Sequence, residues 1–230
     1  MAFMVVKLRA LGATVHQAGR NWKEADTYMR ESVMGQQQQQ SKGEEEVYVP
    51  PFDHPDIWEG ASSLVPELET QMKSSGGYDG VVCSVGGGGL LVGIADGLRQ
   101  AGRTKQVGIL AVETEGAASL AGSLEAGRNV TLGGITSIAT SLGCVRVAER
   151  AYEVALGEGV QVAVLSDAQA AMGSVHLADM ERILAEAACG GEVWGCCGEG
   201  AEDADGSGGE EGAAGEAGGG GGCGEGEGRV

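Results

Sequence analysis

Positive charge is scarce in this 230-residue sequence: 15 Lys and Arg face 33 Asp and Glu, for a net charge of −18. The basic residues do not cluster, so nucleic acid and anionic membranes are excluded as natural partners. Long apolar runs are missing too. The opening MAFMVVKLRALGATV is broken by Lys7 and Arg9, and no small-residue cleavage site follows a long apolar stretch. With no Arg- and Ser-rich presequence either, a cytoplasmic protein is expected. Six cysteines are present, but none forms a C-x-x-C pair, and His16, His54 and His176 are not at finger spacing from them. A zinc framework is therefore not expected, and the thiols read as buried or incidental. No repeat of fixed period appears.

Aromatics make up only 4% of the residues, against 43 glycines. Together with the charge, this departs far from an ordinary domain and points to two kinds of sequence in one chain. The change comes near residue 198. From there GEGAEDADGSGGEEGAAGEAGGGGGCGEGEGRV holds nine acidic residues, one Arg and almost nothing large enough to pack. Residues 198–230 are expected to be a disordered acidic Gly-rich tail, because they cannot bury enough apolar surface to offset their ordering entropy. Residues 35–46, GQQQQQSKGEEE, read as a low-complexity loop insertion.

Elsewhere the pattern alternates. GATVHQAG reads as a short strand, NWKEADTYMRES as a helix capped by Asn21, VYVPPF as a strand stopped by Pro50 and Pro51, and DIWEGASSLVPELETQM as a helix with Pro66 as its weak point. Then come strand YDGVVCSV, helix LLVGIADGLRQAG, strand KQVGILAVE, helix AASLAGSLEAG, strand GVQVAVLSD and helix DAQAAMGSVHLADMERILAE. Strands built from continuous Val, Ile and Leu belong in a parallel sheet with helices on both faces, so the class is α/β.

Four consecutive glycines, Gly86 to Gly89, fall between the strand YDGVVCSV and the helix that follows. In open α/β sheets ligands bind at the carboxyl ends of strands, and free amides at a helix start favour an anion, so a phosphate-bearing ligand is expected. Two common phosphate motifs fail. Ile94 and Ala95 stand where a P-loop needs lysine and a hydroxyl, and Leu91 stands where the dinucleotide motif needs glycine. A glycine turn that merely packs helix against strand is the alternative.

The flanking residues are more specific. YVPPFDHPDIWEG, SVGGGGLL, AVETEGAAS, ITSIATSLG and LAEAACG resemble, in order and spacing, the pyridoxal-phosphate-dependent L-serine and L-threonine dehydratases, most closely the serine branch. The resemblance runs from about residue 5 to residue 190. It implies the three-layer parallel sheet of the fold type II enzymes, in incomplete form. Residues 1–34 would be a remnant of the smaller domain and residues 47–197 a partial cofactor-binding domain.

The resemblance also implies site roles. Gly86, Gly87, Gly88 and Gly89 match the loop whose amides hold the cofactor phosphate, and Ser141 falls where a small residue packs against the cofactor ring. Gly86, Glu113, Ala117, Ser119, Leu142 and Cys144 match a monovalent cation site, K+ in the family, where oxygen ligands suit a hard cation. By itself Glu113 also reads as a solvated carboxylate at a strand end. The implied reaction is dehydration and deamination of L-serine to pyruvate, or of L-threonine to 2-oxobutanoate, with release of ammonia. A small amino-acid substrate and a homodimer go with it.

Departures are equally plain. The family's S-F-K-x-R-G motif, with its Schiff-base lysine, and its S-S-G-N-A-G substrate loop have no match. Lys7, Lys23, Lys42, Lys73 and Lys105 all sit in other contexts, and Ala187 stands where proline is usual. The strand and turn that contact the pyridine nitrogen are replaced by the acidic tail. The chain is thus expected to be truncated at both ends, with negligible turnover of its own and exposed sheet edges that favour aggregation. A noncatalytic cofactor- or phosphate-binding remnant, or an interaction protein, is the alternative.

Overall fold

The computed structural model describes residues 2–34 and 47–197. The expected tail and the glutamine-rich insertion lie outside the described residues. The chain divides into two units, residues 1–50 and 51–230.

The first unit holds helices α1 (Ala2–Ala10) and α2 (Trp22–Tyr28), the latter running into a π-helical turn, Met29–Met34. Asn21 caps α2 as expected, its side chain accepting the Glu24 amide at 3.0 Å. Within the π turn, Arg30 pairs with Asp26 at 3.1 Å and stacks 4.0 Å over the Tyr48 ring. The expected strands at GATVHQAG and VYVPPF do not form. Neither has a neighbouring strand among the described residues to complete its hydrogen bonds, and Pro50 and Pro51 have no amide hydrogen to donate.

The second unit is an α/β structure around a three-stranded parallel sheet in the order β1 (Gly80–Ser84), β2 (Gly108–Thr114), β3 (Val160–Leu165). The register pairs Cys83 with Ala111 and Ala111 with Val162, which lines up the carboxyl ends of the strands. Alternation sends Cys83, Val85, Ile109 and Ala111 to one face. There they pack with Leu91, Ile94 and Leu98 of α5 (Gly89–Gln100) and Ala151, Tyr152 and Ala155 of α7 (Glu149–Ala155). The other face presents Val82, Leu110 and Val112 to α9 (Ala187–Cys197), which packs in turn on α8 (Asp167–Glu181). Of the three strands β2 is the most buried, while β1 and β3 form the edges among the described residues.

Pro66 is accommodated by a break. The expected single helix is two, α3 (Pro55–Ser62) and α4 (Leu64–Gln71), and the proline sits in the first turn of the second, where its missing amide costs no intrahelical bond. Helix α6 (Ser119–Glu125) follows β2 as the sequence suggested. Three helices go beyond the sequence reading: α1, α7, and α9, whose AACGGEVWGCC reads as the edge of the tail. Helix α9 forms because its glycines let it lie close to α8 and the sheet. A Cβ on Gly190 would meet the Ser174 Oγ and the Ala170 carbonyl.

Candidate functional site

The site stands at the carboxyl end of β1. After Val85, whose amide donates to the Val112 carbonyl at 2.8 Å, the chain leaves the sheet through the four glycines and enters α5. Gly88 is the N-cap in the left-handed region, φ 89°, and no side chain caps the helix. A Cβ there would strike Ala151, and one on Gly87 would enter the Phe52 ring. The loop therefore lies flush against its neighbours because it has no side chains. The Gly87 carbonyl accepts the Ala148 amide at 3.0 Å and the Gly88 carbonyl accepts that of Val92 at 3.0 Å. The amides of Gly87 to Leu91 find no protein acceptor among the described residues. Open amides at the start of a twelve-residue helix have the donors and the dipole that suit an anion.

Phe52 is a site residue the sequence reading did not single out, although its motif PPFDHPDIWEG was noted. Its ring lies on Gly87 and its carbonyl accepts the Trp58 indole N–H at 2.8 Å. His54 then caps α3 with Nδ1 accepting the Asp56 amide at 3.3 Å, and Pro55 opens the helix. The motif thus works as a structural unit that braces the glycine loop.

Beside the loop, Glu113, the last residue but one of β2, is fully buried, its carboxylate accepting the amides of Leu120 at 2.9 Å and Ala121 at 2.7 Å. It is not the solvated strand-end carboxylate of the alternative reading. Burial pushes its pKa up to about 7, against the opposing pull of the amides of Leu120, Ala121 and Ser119. Ser119 is fully buried and its hydroxyl has no hydrogen-bond partner among the described residues. Ala117 is buried next to them in sequence, and its amide donates to the Thr114 carbonyl at 2.9 Å. Burial raises the Cys144 thiol, with Asp53 and Glu113 adding to the effect; its Sγ donates to the Arg146 carbonyl at 3.0 Å. A Cβ on Gly86 would come within 3.1 Å of the Leu142 Cα and 3.3 Å of its carbonyl oxygen. Among the described residues no three His, Cys, Asp or Glu side chains cluster as metal ligands.

Ser141 lies one residue from that contact, in the 3₁₀ turn Thr140–Leu142, its hydroxyl 2.9 Å from Glu186.

The chain matches the family "Pyridoxal-phosphate dependent enzyme" over residues 2–210. It is 40% identical over 197 residues to an L-serine dehydratase of Saccharomyces cerevisiae (strain AWRI1631), covering 84% of this chain and 58% of the relative. It is 42% identical over 187 residues to a serine dehydratase-like protein of Mus musculus, covering 81% and 54%. The chain belongs to the pyridoxal-phosphate-dependent enzyme family. A crystal structure of an L-serine ammonia-lyase from Rhizomucor miehei is similar with a TM-score of 0.72 and 32% identity, over 85% of this chain and 59% of that one. The fold is accordingly that of the fold type II members. The chain spans just over half the length of the curated relatives it matches.

The residues present suit the family's cofactor at its phosphate end, since the uncapped amides and the side-chain-free loop leave room and donors for a phosphate. Within the second unit no lysine lies at that end of the sheet among the described residues. Lys73 and Lys105 lie in the connections leading into β1 and β2, at the amino ends of the strands, and Lys42 falls outside the described residues.

Glu113 sets a pH dependence. Its pKa of about 7 in the fold compares with an ordinary value of 4.5. Between those values the folded chain binds more protons than the unfolded one, so stability falls as pH rises from about 4.5 to about 7 and then levels off. The loss should amount to roughly 2–3 kcal/mol. Urea midpoints at pH 5 and pH 7.5 should show it in the native chain and not in Glu113→Gln. An equal slope in the variant would assign the proton elsewhere.

Proposed function

We propose that this chain carries the phosphate- and cation-holding part of an L-serine or L-threonine ammonia-lyase, acting in amino-acid breakdown in the cytoplasm. The observation that carries this reading is the row of unpaired amides at Gly87 to Leu91, beside a buried carboxylate, at the carboxyl end of a parallel strand. The names of the relatives support a lyase over a noncatalytic binding protein, and one of them is a "Catabolic L-serine/threonine dehydratase" 39% identical over 191 residues. Bound pyridoxal phosphate supplies an electron sink for the substrate's alpha carbon, which permits loss of the beta hydroxyl and then of ammonia.

The chain's own residues have narrower tasks. The amides of the Gly86–Gly89 loop and the start of α5 hold the phosphate, with the helix dipole adding to the field. Ser141 flanks the ring. We assign Gly86, Glu113, Ala117, Ser119, Leu142 and Cys144 together to a monovalent cation such as K+. The unpartnered Ser119 hydroxyl and the uncompensated Glu113 charge support it. Residues 1–34 act as part of a smaller domain and residues 47–197 as part of the cofactor domain. A homodimer is the assembly we expect.

Pyridoxine 5′-phosphate has the ring and phosphate but no aldehyde to react with stray lysines. Calorimetry should find one saturable site for it, and Gly88→Ala should weaken it at least about tenfold, because the new Cβ meets Ala151 in a left-handed backbone. Binding unaffected by the substitution would remove the glycine loop from the site. In thermal melts above pH 7, KCl should stabilise the chain by about 1 kcal/mol over tetramethylammonium chloride at equal ionic strength. Glu113→Gln should cancel the difference, and its survival would place the cation elsewhere.

Turnover needs a base for the alpha proton. With no lysine of the second unit at the loop end of the sheet among the described residues, cofactor plus L-serine should yield pyruvate no faster with the chain than without it, as read by coupling to lactate dehydrogenase. A faster rate would show that another group on this chain takes that proton.

A further inference from the structure

The segment from Ser137 to Cys144 walls the glycine loop, with Leu142 packed on Gly86. Its only regular element is the 3₁₀ turn at Thr140–Leu142, so its position depends on outside anchors. Two carboxylates supply them. Asp167, the first residue of α8, accepts the Ser137 hydroxyl at 2.7 Å and the Ile138 amide at 3.1 and 3.2 Å. Because the Ser137 hydroxyl donates its proton to Asp167, its oxygen is left to accept, from the Ala139 amide at 3.0 Å and the Thr114 hydroxyl at 2.8 Å. Thr114 is the last residue of β2 and fully buried, so this end of the segment is tied to the sheet itself.

At the other end Ser141 donates to the Glu186 carboxylate at 2.9 Å. Glu186 is itself rooted: its carbonyl accepts the Ser174 hydroxyl at 3.0 Å and the amides of Cys189 at 3.0 Å and Gly190 at 3.1 Å. The segment is therefore strung between the starts of two helices on the far side of the sheet from α5.

We propose that Asp167 and Glu186 are positioning residues, a two-point clasp that holds the Ser137–Cys144 wall where the ring of a phosphate-anchored ligand must lie. The inference rests on the cofactor reading above and adds a division of labour. The open amides of Gly87 to Leu91 hold the phosphate without bonding to the wall, while the clasp governs what extends from that phosphate. Charged acceptors suit this task because hydrogen bonds to a carboxylate are stronger and more directional than neutral ones.

Two ligands separate the roles: inorganic phosphate, which needs only the loop, and pyridoxine 5′-phosphate, which also needs the wall. Calorimetry on the full chain should show Asp167→Ala and Glu186→Ala weakening pyridoxine 5′-phosphate about tenfold, with inorganic phosphate within about twofold of the native chain. Asp167→Asn and Glu186→Gln, each keeping one acceptor oxygen, should recover most of the loss. Should Asp167→Ala fail to fold, Ser137→Ala and the two conservative variants give the same comparison. Equal weakening of both ligands, or of neither, would overturn the clasp. A native chain that binds neither ligand would overturn the cofactor reading itself, a result the variants' behaviour cannot imitate.

Discussion

Everything in the site depends on how closely the Gly86–Gly89 loop is approached from three sides. Phe52 lies on Gly87, Ala151 and Val147 crowd Gly88, and Leu142 rests on Gly86. These contacts come from segments up to about a hundred residues apart, and they fit together only because the loop offers backbone alone. The same bareness goes with amides at Gly87 to Gly89 that have no protein acceptor among the described residues. Tight packing and open backbone donors are thus two results of one constraint.

The sheet supplies the geometry for that convergence. Parallel register brings the end of β1, the end of β2 with Glu113 and Thr114, and the start of α8 after β3 to one edge. Each then contributes a different kind of group: open amides, a buried carboxylate beside an unpaired hydroxyl, and a carboxylate spent on holding a loop. A helix on each face keeps the edge in place. On β1 the outward-facing Ser84 amide is taken up by Glu192 of α9 at 2.8 Å, so a side chain serves where a strand neighbour could.

Much of the second unit was legible from the residues. All three strands and helices α5, α6 and α8 appear where the alternation of apolar runs and turn residues placed them, because those signals are local. The capping choice at Asn21 was local as well. What failed was pairing. GATVHQAG and VYVPPF have strand-like composition, but a strand exists only when a neighbour accepts its hydrogen bonds. Helix α9 failed in the opposite direction: its glycines and cysteines look like the edge of a tail, and it is helical because α8 and Val82, Leu110 and Val112 give it a surface to cover.

The site divides in the same way. Four glycines between an apolar strand and a helix point to open backbone donors from sequence alone, since their chemistry lies in the backbone and needs nothing from afar. That Glu113 is buried rather than solvated, that the Ser119 hydroxyl has no partner among the described residues, that Phe52 covers Gly87, and that Asp167 and Glu186 accept hydrogen bonds from Ser137 and Ser141 are facts of tertiary structure. Side-chain identity sets what a residue can donate, accept or titrate. Which of those capacities is used depends on neighbours brought in from elsewhere in the chain, and only the folded sheet selects them.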